Sequence, residues 1–472
     1  MKQIMISLLT CTVLVGFGQD KNAQKIAKTI SEKDLRTHLS ILAADSLEGR
    51  DTGESGQKRA AAYIAKYFEN IGLEAPVDGQ YFQEFPFYKS NWTSIYIRKK
   101  EEKLETDRFV YFSKRETVGE EYMNLVWIGS GSIGDIDITD KYVVLSNDKE
   151  AAWQDRVEEM LNQKPAGFVV MISDEELQMG LKSFRQFYSR TTTSTSLDQE
   201  GERIILVDED MLSWMYDGRS AAALSKGETA KAIINADLLV DNPGSENVLG
   251  YLKGSEKPDE LVIITAHYDH IGMNNGEIYN GADDDASGTS AVMEVAEAFT
   301  AAAKKDNGPK RSILFMCVSG EEKGLLGSQY YTDESPVFPL SSTVANLNID
   351  MIGRRDEMHN DGDYVYLIGS DKLSQELHDL SESVNNNTLE LELDYTYNDD
   401  NDPNRFYYRS DHYNFAKNNI PIIFYFNGTH ADYHRSTDTI EKIDFELLKK
   451  RTQLIFYTAW ELANKGERIK LD

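Results

Sequence analysis

Two cysteines among 472 residues are too few for a disulfide framework. Cys11 lies in an apolar run at the start of the chain, and Cys317 lies in a second apolar segment far from it. Positive charge is also scarce: 50 Lys and Arg stand against 79 Asp and Glu, a net charge of −29. That balance excludes nucleic acid as a partner, because phosphate backbones require clustered Lys and Arg. It argues equally against an anionic membrane surface, and its ordinary meaning is solubility. Ile4 to Phe17 is almost wholly apolar, but this run is too short to favour a membrane-spanning helix. Internal repeats and long low-complexity stretches are missing too.

What is present begins with that run. Met1-Lys2-Gln3, the apolar stretch and the small, polar Gly18-Gln19-Asp20 have the order of a secretory signal peptide, residues 1–18. The expectation is a secreted or periplasmic protein with no stable membrane insertion. Thr10 precedes Cys11 and the apolar run continues past it, which speaks against a lipid-modified cysteine. Cleavage leaves Cys317 as a small core residue without an internal partner.

At this length two or three domains are expected. Residues 31–72 read as helical with a break around Gly49–Gly53. Ser31 caps the first helix, and Ala61, Ile64, Ala65, Phe68 and Ile71 recur at helical spacing before Gly72. From 109 to 241 the texture changes to short strands with turns and one helix. Leu125–Gly129, Tyr142–Ser146, Gly167–Ile172 and Arg203–Val207 are the strands, and Thr191–Ser196 is a surface loop. This segment holds no histidine. After Asn242-Pro243-Gly244, apolar runs at Leu261–Ala266, Ser312–Val318, Thr343–Ile349, Tyr364–Ile368 and Pro421–Phe426 alternate with helical stretches at 287–304, 371–386 and 444–463. The expected fold is therefore α/β, a mostly parallel central sheet with helices on both faces. The division is 19–108 plus 242–472 for one domain and 109–241 for a smaller, inserted α+β domain.

In such sheets ligands bind beyond the carboxyl ends of the strands. His267 and Asp269 follow one strand, Glu321 and Glu322 another, and Asp350 closes a third. Asp284 sits in a turn leading into a helix, and His434 in a loop beyond Phe426. His and carboxylate groups aimed at one sheet edge suit zinc, whose catalytic sites keep one position open. Any one of these residues alone reads as a solvated loop residue, a helix cap or a core histidine. Convergence shifts the balance: five of the eight histidines (267, 270, 412, 430 and 434) fall beside these strand ends.

The motifs His267-Tyr268-Asp269, Gly281-Ala282-Asp283-Asp284-Asp285-Ala286-Ser287-Gly288, Ser319-Gly320-Glu321-Glu322, Asn348-Ile349-Asp350-Met351, Ser410-Asp411-His412 and Tyr433-His434 are similar to those of metallopeptidase family M28. Leu42 to Arg50 resembles that family's entry motif, and residues 109–241 more weakly resemble a protease-associated domain. The resemblance implies two zinc ions bridged by Asp284. His267 and Asp350 complete one site, and Glu322 and His434 the other. Glu321 is the general base, and Asp269 is a carboxylate that orients the His267 imidazole. Such a metal pair, about 3.5–4 Å apart, activates a water and polarises a scissile carbonyl.

Asp283 and Asp285 read as caps and outer acceptors, and His270 and His430 as cleft-lining or packing residues. Asp411 and His412 read as pocket supports, and Tyr407 or Tyr408 as a donor to a developing oxyanion. Phe406, Phe424 and Phe426 are candidates to shape a side-chain pocket. The acidic loop Asn398–Asp402 lacks calcium-loop spacing and reads as a solvated turn. The functional expectation is an aminopeptidase acting on peptides. A carboxypeptidase or dipeptidase of the glutamate carboxypeptidase type is the alternative, for which Arg405 and Arg409 are the available cations. A glutaminyl cyclase needs only three ligands. A receptor-like binding protein would have lost ligands that are all present here.

Overall fold

The computed structural model describes residues 21–147, 152–197, 201–359 and 363–472. The expected signal peptide and Cys11 lie outside the described residues. The chain divides into two compact units, residues 21–85 with 244–472, and Pro86–Pro243. Among the described residues no helix is long and apolar enough to cross a membrane.

The first unit is built on eight strands: Phe82–Phe85 (β1), Ser245–Leu252 (β2), Lys257–His267 (β3), Arg311–Val318 (β4), Thr343–Ile349 (β5), Tyr364–Ile368 (β6), Glu392–Asp394 (β7) and Ile422–Phe426 (β8). They lie in the order β1-β2-β4-β3-β5-β8-β6-β7. The central four, β4, β3, β5 and β8, are mutually parallel. β1 and β2 join antiparallel on one side, and β6 is antiparallel to β8 on the other.

The apolar runs of β3 and β4 divide strictly by alternation, as a pleated strand requires. Val262, Ile264, Ala266, Ile313, Phe315 and Cys317 enter one core with the helices Glu32–Leu42, Ser55–Ile71, Ala286–Ala303 and Phe445–Asn464. Leu261, Ile263, Leu314, Met316 and Val318 enter another with Tyr331, Phe415 and Ile420. Cys317 is buried and free, as expected of a core residue. At the N-terminal end of the unit, Ser31 Oγ accepts the Asp34 amide at 3.1 Å, and Gly72 ends the Ser55–Ile71 helix with φ +90°.

Register places the chemistry. His267 stands opposite Val318, and Thr265 stands opposite Asn348. The carboxyl ends of β3, β4 and β5 therefore finish level, so residues just beyond each can meet.

Among the described residues the second unit carries eight strands on one sheet path plus a short ninth off it. Glu121–Gly129, Tyr142–Ser146, Gly167–Met171 and Ile204–Val207 are neighbours and parallel. The helices Trp153–Met160 and Asp174–Tyr188 lie between successive strands of this set, and Glu209–Met215 follows the last. Its boundary differs from the expected residue 109. Tyr88–Lys99 pairs antiparallel with Thr229–Asp241 over most of its length, which draws the segment from Pro86 onward into this unit. Thr192–Ser194, expected in a loop, forms a short strand against Tyr88–Ser90.

Candidate metal centre

The five expected metal ligands, together with Asp269 and Glu321, come to the carboxyl edge of the central strands. His267 Nε2 lies 3.2 Å from Asp284 Oδ1 and 3.5 Å from Asp350 Oδ1. On the other side of the same carboxylate, His434 Nε2 is 3.1 Å from Asp284 Oδ2 and 3.4 Å from Glu322 Oε2. Asp284 thus faces two histidines, one with each oxygen. Two ligands of a tetrahedral zinc with bonds of about 2.0–2.1 Å are separated by about 3.3–3.4 Å. The observed spacings fit that edge length. His267 Nε2 and Asp284 Oδ2 are buried without a hydrogen-bond partner, which fits donor atoms kept for a cation.

Charge points the same way. Burial opposes a proton on His267, yet Asp350, Glu321 and Asp284 hold its pKa well above the ordinary value. Glu321 is pushed well above the carboxylate range, first by burial and then by Asp350 and Glu322. Its Oε2 is 4.0 Å from His267 Nε2, longer than the ligand edges.

Asp269 departs from its expected role. His267 Nδ1 is 3.1 Å from the backbone carbonyl of Asp269, while the Asp269 carboxylate is 3.8 Å away. The carbonyl therefore orients the ring, leaving Nε2 for the site. The carboxylate takes the Thr52 hydroxyl at 2.7 Å and the Glu321 amide at 3.2 Å, so it positions Glu321 instead.

The turn carrying Asp284 is held from two sides. Met351 N donates to Asp285 Oδ1 (3.0 Å), Ile352 N to Ser287 Oγ (3.1 Å) and Gly353 N to Asp283 Oδ1 (2.6 Å). Three successive amides beyond Asp350 are thus zipped onto the Asp283–Ser287 turn. Asp285 also caps the Ala286–Ala303 helix through the Gly288 amide, which bears out its reading as a cap. His430 Nε2 contacts Asp283 Oδ2 at 3.1 Å. Gly281 has φ +53°, and a Cβ there would stand 2.1 Å from the Asp284 carbonyl and 2.5 Å from the His270 ring, so only glycine fits.

The segment Leu42–Arg50 has a physical role. The buried Arg50 guanidinium donates to the carbonyls of Tyr268, Asn280 and Gly281 at 2.7, 2.7 and 3.0 Å, tying together the loops that carry His267 and Asp284. Ser410 accepts from Asn348 Nδ2 at 2.9 Å, and the Asp411 carboxylate takes the Ser328 hydroxyl. His412 stacks on Phe424 and points Nε2 at the Tyr407 carbonyl, 2.8 Å away. Both support the pocket from behind.

A small open pocket is lined by Asp284, Glu321, Asp350 and His434 on the polar side and by Phe406, Phe424 and Phe426 on the apolar side. Arg409 and Tyr433 complete the rim. Tyr407 and Tyr408 do not line it; Tyr407 packs on His412 and Tyr408 is exposed. Tyr433 takes the place expected of them: its ring stacks on His434 at 3.9 Å and its hydroxyl is 3.3 Å from Arg409 Nη2. The signal for it was its position next to His434. In the acidic loop, Asp399 and Asp402 cap the amides of Asn401 and Asn404, and Asp400 pairs with Lys372.

Residues 247–459 match peptidase family M28. An aminopeptidase of Bacillus subtilis, YwaD, is 27% identical over 243 residues, 48% of this chain and 47% of that protein. Leucine aminopeptidase 2 of Trichophyton equinum is 26% identical over 277 residues, 52% of this chain and 50% of that protein. The chain spans about half the length of these relatives. Among solved structures, a zinc aminopeptidase from Bacillus subtilis has TM-score 0.51 and 18% identity, covering 93% of this chain and 98% of that one. An aminopeptidase from Aneurinibacillus sp. strain AM-1 has TM-score 0.50, also at 18% identity, covering 95% and 97%. At that identity the likeness concerns the fold, an α/β architecture shared with zinc aminopeptidases. The stretch that matches peptidase family M28 thus carries all the histidines and carboxylates gathered around Asp284.

Proposed function

We propose that this chain is a two-zinc aminopeptidase that acts on peptides outside the cytoplasm. The observation that carries the reading is the placement of Asp284 between His267 and His434, 3.2 Å and 3.1 Å away. His267, Asp284 and Asp350 hold one ion, and Asp284, Glu322 and His434 the other. Two zinc ions held there supply Lewis acidity toward a water nucleophile and the scissile carbonyl. The chain's own residues do the rest. Glu321 takes a proton on its carboxylate and returns it to the leaving amine, a role suited to a base whose pKa burial has raised. Asp269 fixes the Glu321 amide, and Tyr433 offers a hydroxyl at the rim.

The relatives named as aminopeptidases support the same activity. The apolar wall of Phe406, Phe424 and Phe426 favours a substrate with an apolar first residue. One observation supports the alternative of a carboxypeptidase or dipeptidase: Arg409 is a cation on the rim of the pocket.

The test combines metal content with substrate form. Purified protein is expected to hold two zinc ions and to release the first residue from free but not N-acetylated peptides. Cleavage of N-acetylated peptides with a free C-terminus would transfer the proposal to the alternative. Glu321→Gln should retain zinc and lose turnover by about 10²–10⁴-fold; unchanged turnover would remove Glu321 as the base.

A further inference from the structure

We propose that His270 is a fourth protein donor to the zinc held by Asp284, Glu322 and His434, an inference that rests on the two-zinc reading. His270 is fully buried. Its Nδ1 is 2.7 Å from Glu322 Oε1 and 3.9 Å from Asp284 Oδ2. His434 reaches the same Asp284 Oδ2 at 3.1 Å and the other oxygen of Glu322 at 3.4 Å. Both histidines therefore face the Asp284 and Glu322 carboxylates, at separations that bracket the tetrahedral edge of about 3.3–3.4 Å for zinc.

The short contact is the decisive feature. His270 Nδ1 and Glu322 Oε1 do not meet the geometry of a hydrogen bond, and neither atom has another hydrogen-bond partner. A ring nitrogen and a carboxylate oxygen buried 2.7 Å apart outside hydrogen-bond geometry leave both polar atoms unsatisfied. A cation bound by both satisfies them, and His and carboxylate oxygen are the donors zinc accepts. Donor atoms of His270, Asp284 and Glu322 lie within 4.8 Å of one another, as do those of His267, Glu321 and Asp350.

The consequence is an asymmetry between the two ions. The ion beside His267 and Asp350 has three protein donors, His267, Asp284 and Asp350, and keeps a position for water and substrate. The ion beside His434 would have four, leaving water and substrate a fifth position. Both ions would still act on the water, and the second would exchange more slowly.

Zinc-edge X-ray absorption on the wild-type, two-zinc protein tests this without a variant. Three imidazoles shared by two ions are expected; two imidazoles would overturn the proposal. A chelator-competition titration of zinc into the metal-free full chain gives the second readout. His270→Ala should weaken one site at least 100-fold and leave the other within threefold. The cobalt-loaded variant should lose intensity in its visible absorption bands as water replaces the imidazole. An affinity loss of tenfold or less with unchanged cobalt bands would show that His270 only orients Glu322. If His270→Ala does not fold, His270→Gln carries the same comparison. A wild-type protein that binds no zinc would instead defeat the underlying two-zinc reading.

Discussion

Asp438 accepts the backbone amides of both Asp283 and Asp284 through one carboxylate oxygen, at 2.9 and 3.2 Å, and its own carbonyl accepts the Ala282 amide at 3.3 Å. Three successive amides of the turn that presents Asp284 thus end on a single residue four positions beyond His434. Arg354 faces the other oxygen of Asp438 at 3.8 Å and pairs with Asp432 at 3.0 Å.

Replacement of Asp438 should therefore act on the turn before it acts on chemistry. Asp438→Ala strips two buried amides of their acceptor and is expected to cost about 2–4 kcal/mol in the zinc-free protein. Asp438→Asn keeps one carbonyl oxygen in the same place and should lose less than about 1 kcal/mol. Denaturant unfolding of both variants with chelator present checks this. Equal losses in the two variants would refute the assignment to the amides.

Burial gives His412 an acid-sensitive contribution to stability. Its pKa is pushed down to about 3 by burial, against an ordinary value near 6.5, although the Tyr407 carbonyl works in the opposite direction. The unfolded chain binds a proton as pH falls below about 6.5 and the folded chain does not until about 3. Stability contributed by the neutral ring is thus present above 6.5 and lost through that window, at most about 1.4 kcal/mol per pH unit. His412→Gln keeps a donor for the carbonyl but cannot titrate. In zinc-free protein its unfolding free energy should fall less between pH 7 and pH 5 than the wild type's. Parallel slopes would sink the assignment.

The elements around the site were legible because each is a long apolar run with a clear period. The five apolar runs after residue 244 became β3, β4, β5, β6 and β8, and the helix expected at 287–304 spans Ala286–Ala303. The edge strands were not. Ser245–Leu252 mixes Ser, Glu, Asn and Gly among its apolar residues, and Glu392–Asp394 is too short to show alternation. For the site, residue type and strand ends sufficed to gather the histidines and carboxylates. The roles of backbone atoms were hidden: nothing in the side chain of Asp269 reveals that its carbonyl orients His267. Arg50 and Asp438 escaped for the same reason, since their partners are main-chain groups more than 150 residues away in sequence.

The apolar wall sets an expectation for residue preference. Phe406 and Phe426 pack at 5.0 Å, Phe424 and Phe426 at 5.3 Å, and all three face the pocket that holds Asp284 and Glu321. Each methylene buried against such a wall is worth about 1–3 kcal/mol in discrimination. Leucyl and methionyl substrates, several heavy atoms larger than alanyl ones, should exceed them by at least about 10-fold in kcat/KM, and aspartyl substrates by more. A series of aminoacyl-nitroanilides measures it. Comparable rates for leucyl and aspartyl substrates would show that the wall does not receive the first residue.

Tyr433 tests whether the rim supplies transition-state stabilisation. Its ring lies on His434 at 3.9 Å, so the aromatic face is engaged while the hydroxyl remains at the pocket with Arg409 beside it. Burial first, and then the negative charges of Asp284, Asp350 and Glu322, raise its pKa, so the hydroxyl stays protonated at neutral pH and can donate. A carbonyl oxygen gaining charge in the transition state would accept that proton more strongly than the ground-state carbonyl does. Tyr433→Phe keeps the stack, and with it the position of His434, but removes the donor. The expected result is a fall in kcat of about 10²–10³-fold with KM within threefold and zinc content unchanged. A rise in KM at constant kcat would assign the hydroxyl to substrate binding. Loss of zinc would show that the hydroxyl holds the metal site together, and would overturn the transition-state role.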